Sequence, residues 1–220
     1  PQYLIDGVVD IAIVGDNLLV EKGGSIQVVE KLGFSKCKVS VAVPMNFEFE
    51  SLNDLRSKRI ATSYPNTVLN FFKSKNINVE LHEISGSVEI APNIGLSDAI
   101  VDIVSSGSTL FKNGLKEVAV IMKSEAVLAV SQAISAESKI ILDRLQFRIQ
   151  SVLKARKSKY ILMNVPNDKI ESISKILPVL KSPTIMPLAE PGWSSLHSGI
   201  EEAQFWEVID QLKEAGAEGI

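Results

Sequence analysis

The chain is poor in the residues that build the commonest catalytic and metal centres. It has one cysteine, Cys37, and two histidines, His82 and His197, among 220 residues. A single cysteine excludes an intrachain disulfide framework and a cysteine-rich zinc site. The histidines lie far apart in the sequence with no ligand spacing around either, so no histidine-based metal centre is expected. No Ser/His or Cys/His arrangement suggests a nucleophile and its base. Positive charge is not in excess: 23 Lys and Arg against 26 Asp and Glu give a net charge of −3. A nucleic-acid partner is therefore not expected. The basic run at 148–159 reads as a solvated helix end whose cations complement the helix dipole. No apolar run reaches the roughly 20 residues needed to span a bilayer, and no signal pattern opens the chain. The expectation is a cytoplasmic protein with no membrane partner.

What is there is the composition of a globular chain, 45% hydrophobic and 22% charged, long enough for two domains. The richest ten residues run Ile100-Val-Asp-Ile-Val-Ser-Ser-Gly-Ser-Thr109. A short apolar strand carries Asp102 and then ends in a turn of Ser105, Ser106, Gly107, Ser108 and Thr109. Small residues let several backbone N–H groups converge on one point, and hydroxyls add donors, which is how proteins cradle a phosphate. An acid beside such a turn suits sugar hydroxyls, so the combination points to a sugar phosphate. The same letters also suit an ordinary Ser/Gly loop after a strand.

A second copy of the frame lies near the start. Asp6-Gly-Val-Val-Asp10-Ile-Ala-Ile-Val-Gly15 and Asp98-Ala-Ile-Val-Asp102-Ile-Val-Ser-Ser-Gly107 share Asp-x-x-Val-Asp-Ile-x-x-x-Gly. Both read as the end of a helix, a short strand and a glycine turn. That implies two similar α/β lobes facing each other across a cleft at the carboxyl ends of their strands.

Patterning predicts strands over 38–43, 58–62, 79–84, 117–122 and 126–131, and a helix from Pro65 to about 75. A short helix is expected over 97–100. A long amphipathic helix is expected over 135–156, with Ile140, Leu142, Leu145, Ile149 and Val152 on its apolar face. Beyond it the order is β-α-β-β-α-β, a ferredoxin-like pattern. The expected organisation is residues 1–37 in a first lobe, 38–125 in a second, 126–158 returning to the first as a linker, and 159–220 as the ferredoxin-like domain. The chain is expected to begin inside a lobe and to stop inside a final strand.

Several ordered motifs resemble ATP phosphoribosyltransferase of the long form, the first enzyme of histidine biosynthesis. They are the segment 6–17, Lys58-Arg-Ile-Ala-Thr-Ser-Tyr-Pro65, Gly86-Ser-Val-Glu-Ile-Ala-Pro92 and, most specific, the segment 95–110. The resemblance implies a two-lobed, periplasmic-binding-protein-like catalytic region with a C-terminal ferredoxin-like (ACT-like) regulatory domain. It implies condensation of ATP with phosphoribosyl pyrophosphate, with Mg²⁺, to give phosphoribosyl-ATP and pyrophosphate. Ser105, Ser106, Gly107, Ser108 and Thr109 match the 5′-phosphate loop. Asp102 matches the acid near the ribose hydroxyls, with Asp98 one helical turn earlier and Glu89 facing the cleft. Asp10 and Gly15 fall on the nucleotide side. Asn164, Leu180 and Thr184 match positions lining a site for histidine as feedback inhibitor, and homodimers or homohexamers are implied. Long-form members carry an additional N-terminal segment with basic residues for ATP and pyrophosphate, which Arg56, Arg59, Arg144, Arg148 and Arg156 do not replace. On the residues alone, a two-lobed small-molecule binding protein and a catalytically inactive regulatory subunit remain alternatives.

Overall fold

The computed structural model describes residues 1–177 and 182–220. The chain divides into two compact units, Pro1–Arg144 and Leu145–Ile220.

The first unit contains, in order, α1 (Gln2–Ile5), β1 (Ile11–Gly15), α2 (Asp16–Lys22), β2 (Ile26–Lys31), β3 (Cys37–Pro44), β4 (Arg59–Thr62) and α3 (Pro65–Ser74). There follow β5 (Glu80–Glu83), β6 (Ala99–Val104), α4 (Ser108–Lys112), β7 (Leu115–Ser124), β8 (Ala126–Ser131) and the start of α5 (Ala136–Arg156). Two sheets form two lobes. One has the order β1-β8-β2; the other has the order β5-β4-β6-β3-β7. In the larger sheet β4 runs parallel to β5 and β6, whereas β3 is antiparallel to β6 and β7.

The chain crosses between the sheets twice, at 32–36 and at Glu125, and the crossings are tied together. Leu32 N donates to Ala126 O at 2.9 Å, Ala126 N to Phe34 O at 3.0 Å, and Gly33 N to the Glu125 carboxylate at 2.9 Å. Register puts this double crossing at the carboxyl end of β6, because Val104 pairs with Lys38 and Ser124 with Cys37. The larger sheet is covered on both faces, so β3 is buried from Val39 to Val43, Ser40 included, although its sequence alternates polar and apolar residues at its start. Val39, Val41, Val43 and Val101 pack with Phe72 and Val68 of α3 on one side; Ala42, Ala61, Ile100 and Val104 pack with Val88, Ala91 and Leu110 on the other. Burying a side chain such as Phe72 stabilises by about 2–3 kcal/mol.

Two expectations need correction. Residues 97–100 are not helical: Ala99 and Ile100 already belong to β6. The β-branched run Ile-Val-Asp-Ile-Val favours the strand, and Asp98 fixes its start by receiving the Arg59 amide at 2.9 Å. On α5 the sheltered stripe is Ser138, Leu142, Leu145, Ile149 and Leu153, while Ile140 and Val152 are exposed.

The second unit contains the remainder of α5, β9 (Ser158–Pro166), α6 (Ile170–Ile176), β10 (Thr184–Pro187), β11 (Trp193–Glu201) and α7 (Glu202–Glu214). The sheet order is β10-β11-β9, all antiparallel. Glu218 adds an antiparallel bridge to Asn164 at the other edge of β9. Each strand turns alternate residues inward, so Ile161, Met163, Val165, Leu196 and Ile200 meet Ile173, Leu177 and Leu212 of the helices. This is the ferredoxin-like arrangement.

Candidate functional site

At the carboxyl end of β6 a cavity of about 180 Å³ is lined by Glu89, Asp102 and the turn Ser105, Ser106, Gly107 and Thr109. Buried Val104 and Leu110 pin the two ends of this turn, and the five residues between them have no apolar side chain to bury. Gly107 takes φ of +76°, the left-handed region that glycine enters without Cβ strain. The Ser106 and Ser108 hydroxyls lie 3.0 Å apart, and Ser108 N donates to Ser106 Oγ at 3.4 Å. Among the described residues the amides of Ser106, Gly107 and Thr109 have no acceptor. Exposed donors converging on a small cavity are suited to an anion.

The two carboxylates reach the cavity by different routes. Asp102 projects from within β6, and its Oδ1 accepts the Ile103 amide at 2.7 Å. Burial pushes its pKa above the ordinary carboxylate value; the Ile103 hydrogen bond opposes this and the nearby Glu89 charge adds to it. Glu89 sits on a single turn of 3₁₀ helix after Gly86 and Ser87, both at positive φ (80° and 49°). Val88 and Ala91 on either side of it are buried against Val104 and Leu110. The loop that carries Glu89 and the turn that carries the amides therefore share one piece of core.

Other sequence candidates fall elsewhere. Ser108 does not line the cavity; its hydroxyl meets that of Ser106. Asp98 precedes β6, so the strand separates it from the turn by about 20 Å. It is gripped there by Arg59, with Nη2 to Oδ1 at 2.9 Å and the Arg59 amide to Oδ2. The Arg59 guanidinium holds the Asp98 carboxyl below its ordinary pKa. Asp10 precedes β1 and accepts the Ser138 hydroxyl at 2.5 Å. Gly15 caps α2, where a Cβ would collide with Asn17 Oδ1. In the second unit Asn164 pairs with Ser195 and Thr184 with His197, which puts both on the sheet face away from the core. Strand spacing separates them by roughly 12 Å. Leu180 lies outside the described residues.

A buried network to which the sequence motifs assign no role joins α2, Tyr64 and the end of β7. Asn17 Nδ2 donates to Tyr64 Oη at 3.3 Å, and Ser124 Oγ donates to Asn17 Oδ1 at 2.9 Å. Burial and then the Asp102 charge raise the Tyr64 pKa, with the Asn17 hydrogen bond opposing. Glu21, also on α2, accepts the amides of Asn66 and Thr67 at 3.0 and 2.8 Å, so α2 caps α3 of the other lobe. The Thr-Ser-Tyr-Pro motif was the only sequence signal for this network. On the same face of β11 as Ser195, His197 takes Tyr160 Oη at 3.1 Å and Ser195 Oγ at 3.0 Å. His197 has no sequence neighbours of its kind, and in the sheet it stands between Asn164 and Thr184.

These features define a class: a two-lobed α/β protein with a small cavity at the strand ends where free amides and two carboxylates meet. Comparison with known proteins gives the family. The family model described as ATP phosphoribosyltransferase (HisG) matches residues 1–151, and that of the HisG C-terminal domain matches 155–220. The chain is 57% identical to the ATP phosphoribosyltransferase of Cytophaga hutchinsonii over 220 residues, all of this chain and 77% of that protein. It is 52% identical to that of Bacteroides thetaiotaomicron, again over the whole chain and 78% of the relative. Among solved structures, the ATP phosphoribosyl transferase (HisG:HisZ) complex from Thermotoga maritima matches with a TM-score of 0.62 and 30% identity, covering 70% of this chain and 75% of that one. A substrate-binding protein of an amino acid ABC transporter shares the fold, with a TM-score of 0.53, 21% identity, and coverage of 70% and 69%. The chain belongs to the ATP phosphoribosyltransferase family, which joins ATP to phosphoribosyl pyrophosphate in the first step of histidine biosynthesis.

Proposed function

We propose that the cavity at the end of β6 is the phosphoribosyl pyrophosphate site. Its 5′-phosphate lies on the turn 105–109 and its ribose hydroxyls on Asp102 and Glu89. The observation that carries this reading is the meeting of free amides and two carboxylates around one cavity. Attack by adenine N1 on the anomeric carbon, with loss of pyrophosphate, builds positive charge on the sugar ring. The Asp102 and Glu89 carboxylates place negative charge beside that ring, and hydrogen bonds from the ribose hydroxyls favour the ionised form of Asp102. The turn fixes the far end of the sugar, so the chain's contribution is positioning and electrostatic stabilisation without a covalent intermediate.

Mg²⁺ fits this donor set. Among the described residues no cluster of three or more ligating side chains could hold a metal, and Mg²⁺ characteristically takes one or two carboxylates together with substrate phosphates. Asp102 and Glu89 would hold it, and it would neutralise the departing pyrophosphate. Asp98 does not line this cavity, and neither do Asp10 and Gly15, the residues expected on the nucleotide side.

The second unit is read as the regulatory domain, with histidine bound over Asn164, Ser195, His197 and Thr184. A homo-oligomer is supported by the exposed Ile140, Ile141, Phe147 and Val152 along α5. A cytoplasmic location suits this reaction; among the described residues no helix is long and apolar enough to cross a membrane. Titration calorimetry with ribose 5-phosphate tests the main reading: Ser105→Ala with Ser106→Ala should weaken binding about tenfold, and unchanged affinity would remove the turn from the site. Thr184→Ala should relieve histidine inhibition without lowering activity in the absence of histidine; inhibition identical to wild type would exclude Thr184.

A further inference from the structure

A second cavity, of about 390 Å³, lies beside the first and shares Ser105 with it. Four lysines line it: Lys31, Lys36, Lys38 and Lys123. They come from the end of β2, the start of β3 and the end of β7, brought together by the double crossing. Lys38 and Lys123 are direct cross-strand partners, a like-charge pairing that destabilises a sheet.

The local acids relieve this only in part. Glu117 takes Lys38 Nζ at 2.6 and 2.7 Å. Glu125 stands 3.9 Å from Lys31 Nζ, and its other oxygen receives the Gly33 amide. Asp16 receives the Glu125 amide at 3.1 Å. Among the described residues Lys36 and Lys123 have no carboxylate within ion-pair distance. Two uncompensated ammonium groups at a concave surface, next to the sugar-phosphate turn, are suited to an anion of several charges and poorly suited to a single neutral solute.

We infer that Lys36 and Lys123 form a polyphosphate subsite within this chain, positioning either the pyrophosphate of the sugar donor or the triphosphate of the nucleotide. The placement next to the turn rests on the sugar-phosphate reading above; the charge argument does not. Cations for these groups are thus present in the chain even though its five arginines supply none here.

The test is calorimetry on the 220-residue protein with three probes: inorganic pyrophosphate, ATP and ribose 5-phosphate. Lys123→Ala and Lys36→Ala should each weaken pyrophosphate about tenfold, and the double variant by more than either. Lys123→Arg should stay within threefold of wild type. Ribose 5-phosphate should bind all of them equally, which also shows that the variants are folded. Loss of ATP affinity in parallel, with adenosine unaffected, assigns the subsite to the nucleotide; loss confined to pyrophosphate assigns it to the leaving group. Pyrophosphate and ATP binding that is absent from wild type, or unchanged in the double variant, overturns the inference. Pyrophosphate binding without ribose 5-phosphate binding would instead sink the sugar-phosphate reading and leave the lysine subsite standing.

Discussion

The two glycine turns of the first unit begin from the same ten-residue frame and end with opposite roles. At Gly15 the strand runs up to the glycine and α2 starts at once. The first amides of α2 are occupied: Asp16 N donates to Glu125 O and Asn17 N to Ser124 Oγ. At Gly107 the strand stops three residues earlier, at Val104, and among the described residues the amides of Ser106, Gly107 and Thr109 have no acceptor. The acid moves with the register. Asp102 lies inside β6 beside the turn, whereas Asp10 lies ahead of β1 at the far end from Gly15. One shared frame therefore leads to a closed structural joint in one lobe and to a turn with free amides in the other. What decides is whether a neighbouring segment is present to accept the amides.

The strongest way to break this comparison is Gly107→Val. A β-branched residue cannot hold φ near +76° without strain, although nothing crowds the position. We expect kcat/KM to fall about 100-fold or more, corresponding to about 3 kcal/mol; a loss below fivefold would mean that the turn is no cradle.

Asp102→Asn comes next, with an expected loss of about 30-fold in kcat/KM and a gain in thermal stability of a few degrees at neutral pH. Because the folded-state pKa is raised, ionisation costs the wild type stability above the ordinary carboxylate value. The two proteins should converge as pH falls through that range. A variant less stable than wild type at pH 7 would contradict the burial argument.

Gly15→Ala should do the reverse. Its Cβ would displace Asn17 from Ser124 and Tyr64, lowering stability by about 1–2 kcal/mol while ribose 5-phosphate affinity stays within threefold. Chemical denaturation paired with calorimetry separates the two effects. The smallest effect belongs to Asp98→Asn, which weakens a half-buried ion pair near the surface, a kind that contributes little to stability. Arg59 lowers the Asp98 pKa, so the wild type's advantage is present near neutrality and disappears as pH falls through that lowered value. Activity should be unchanged, and a marked fall would return Asp98 to the site.

Much of this was legible in residue types. Pro65 announces α3, the β-α-β-β-α-β order beyond residue 159 announces the ferredoxin-like sheet, and Ser-Ser-Gly-Ser-Thr announces small-residue backbone with donors to offer. The segment 97–100 reads as a short helix ahead of the Asp102 strand, whereas parallel pairing with β4 draws Ala99 and Ile100 into β6. Asp98 is left ahead of the strand and Asp102 near its carboxyl end. The apolar stripe of α5 was misplaced because two overlapping stripes fit its sequence, and only packing selects between them. The lysine cavity left no local trace, since its four members are separated by up to ninety-two positions.

By itself the sequence determined the local vocabulary: which segments extend, which coil, where a glycine must turn, and which family's order of motifs the chain follows. Local sterics and side-chain periodicity act within a few residues, so they can be read along the chain. Only the tertiary structure decided which amides are left free, which acids meet, and which lysines converge. Hydrogen-bond satisfaction and charge compensation depend on neighbours that the fold brings from distant positions.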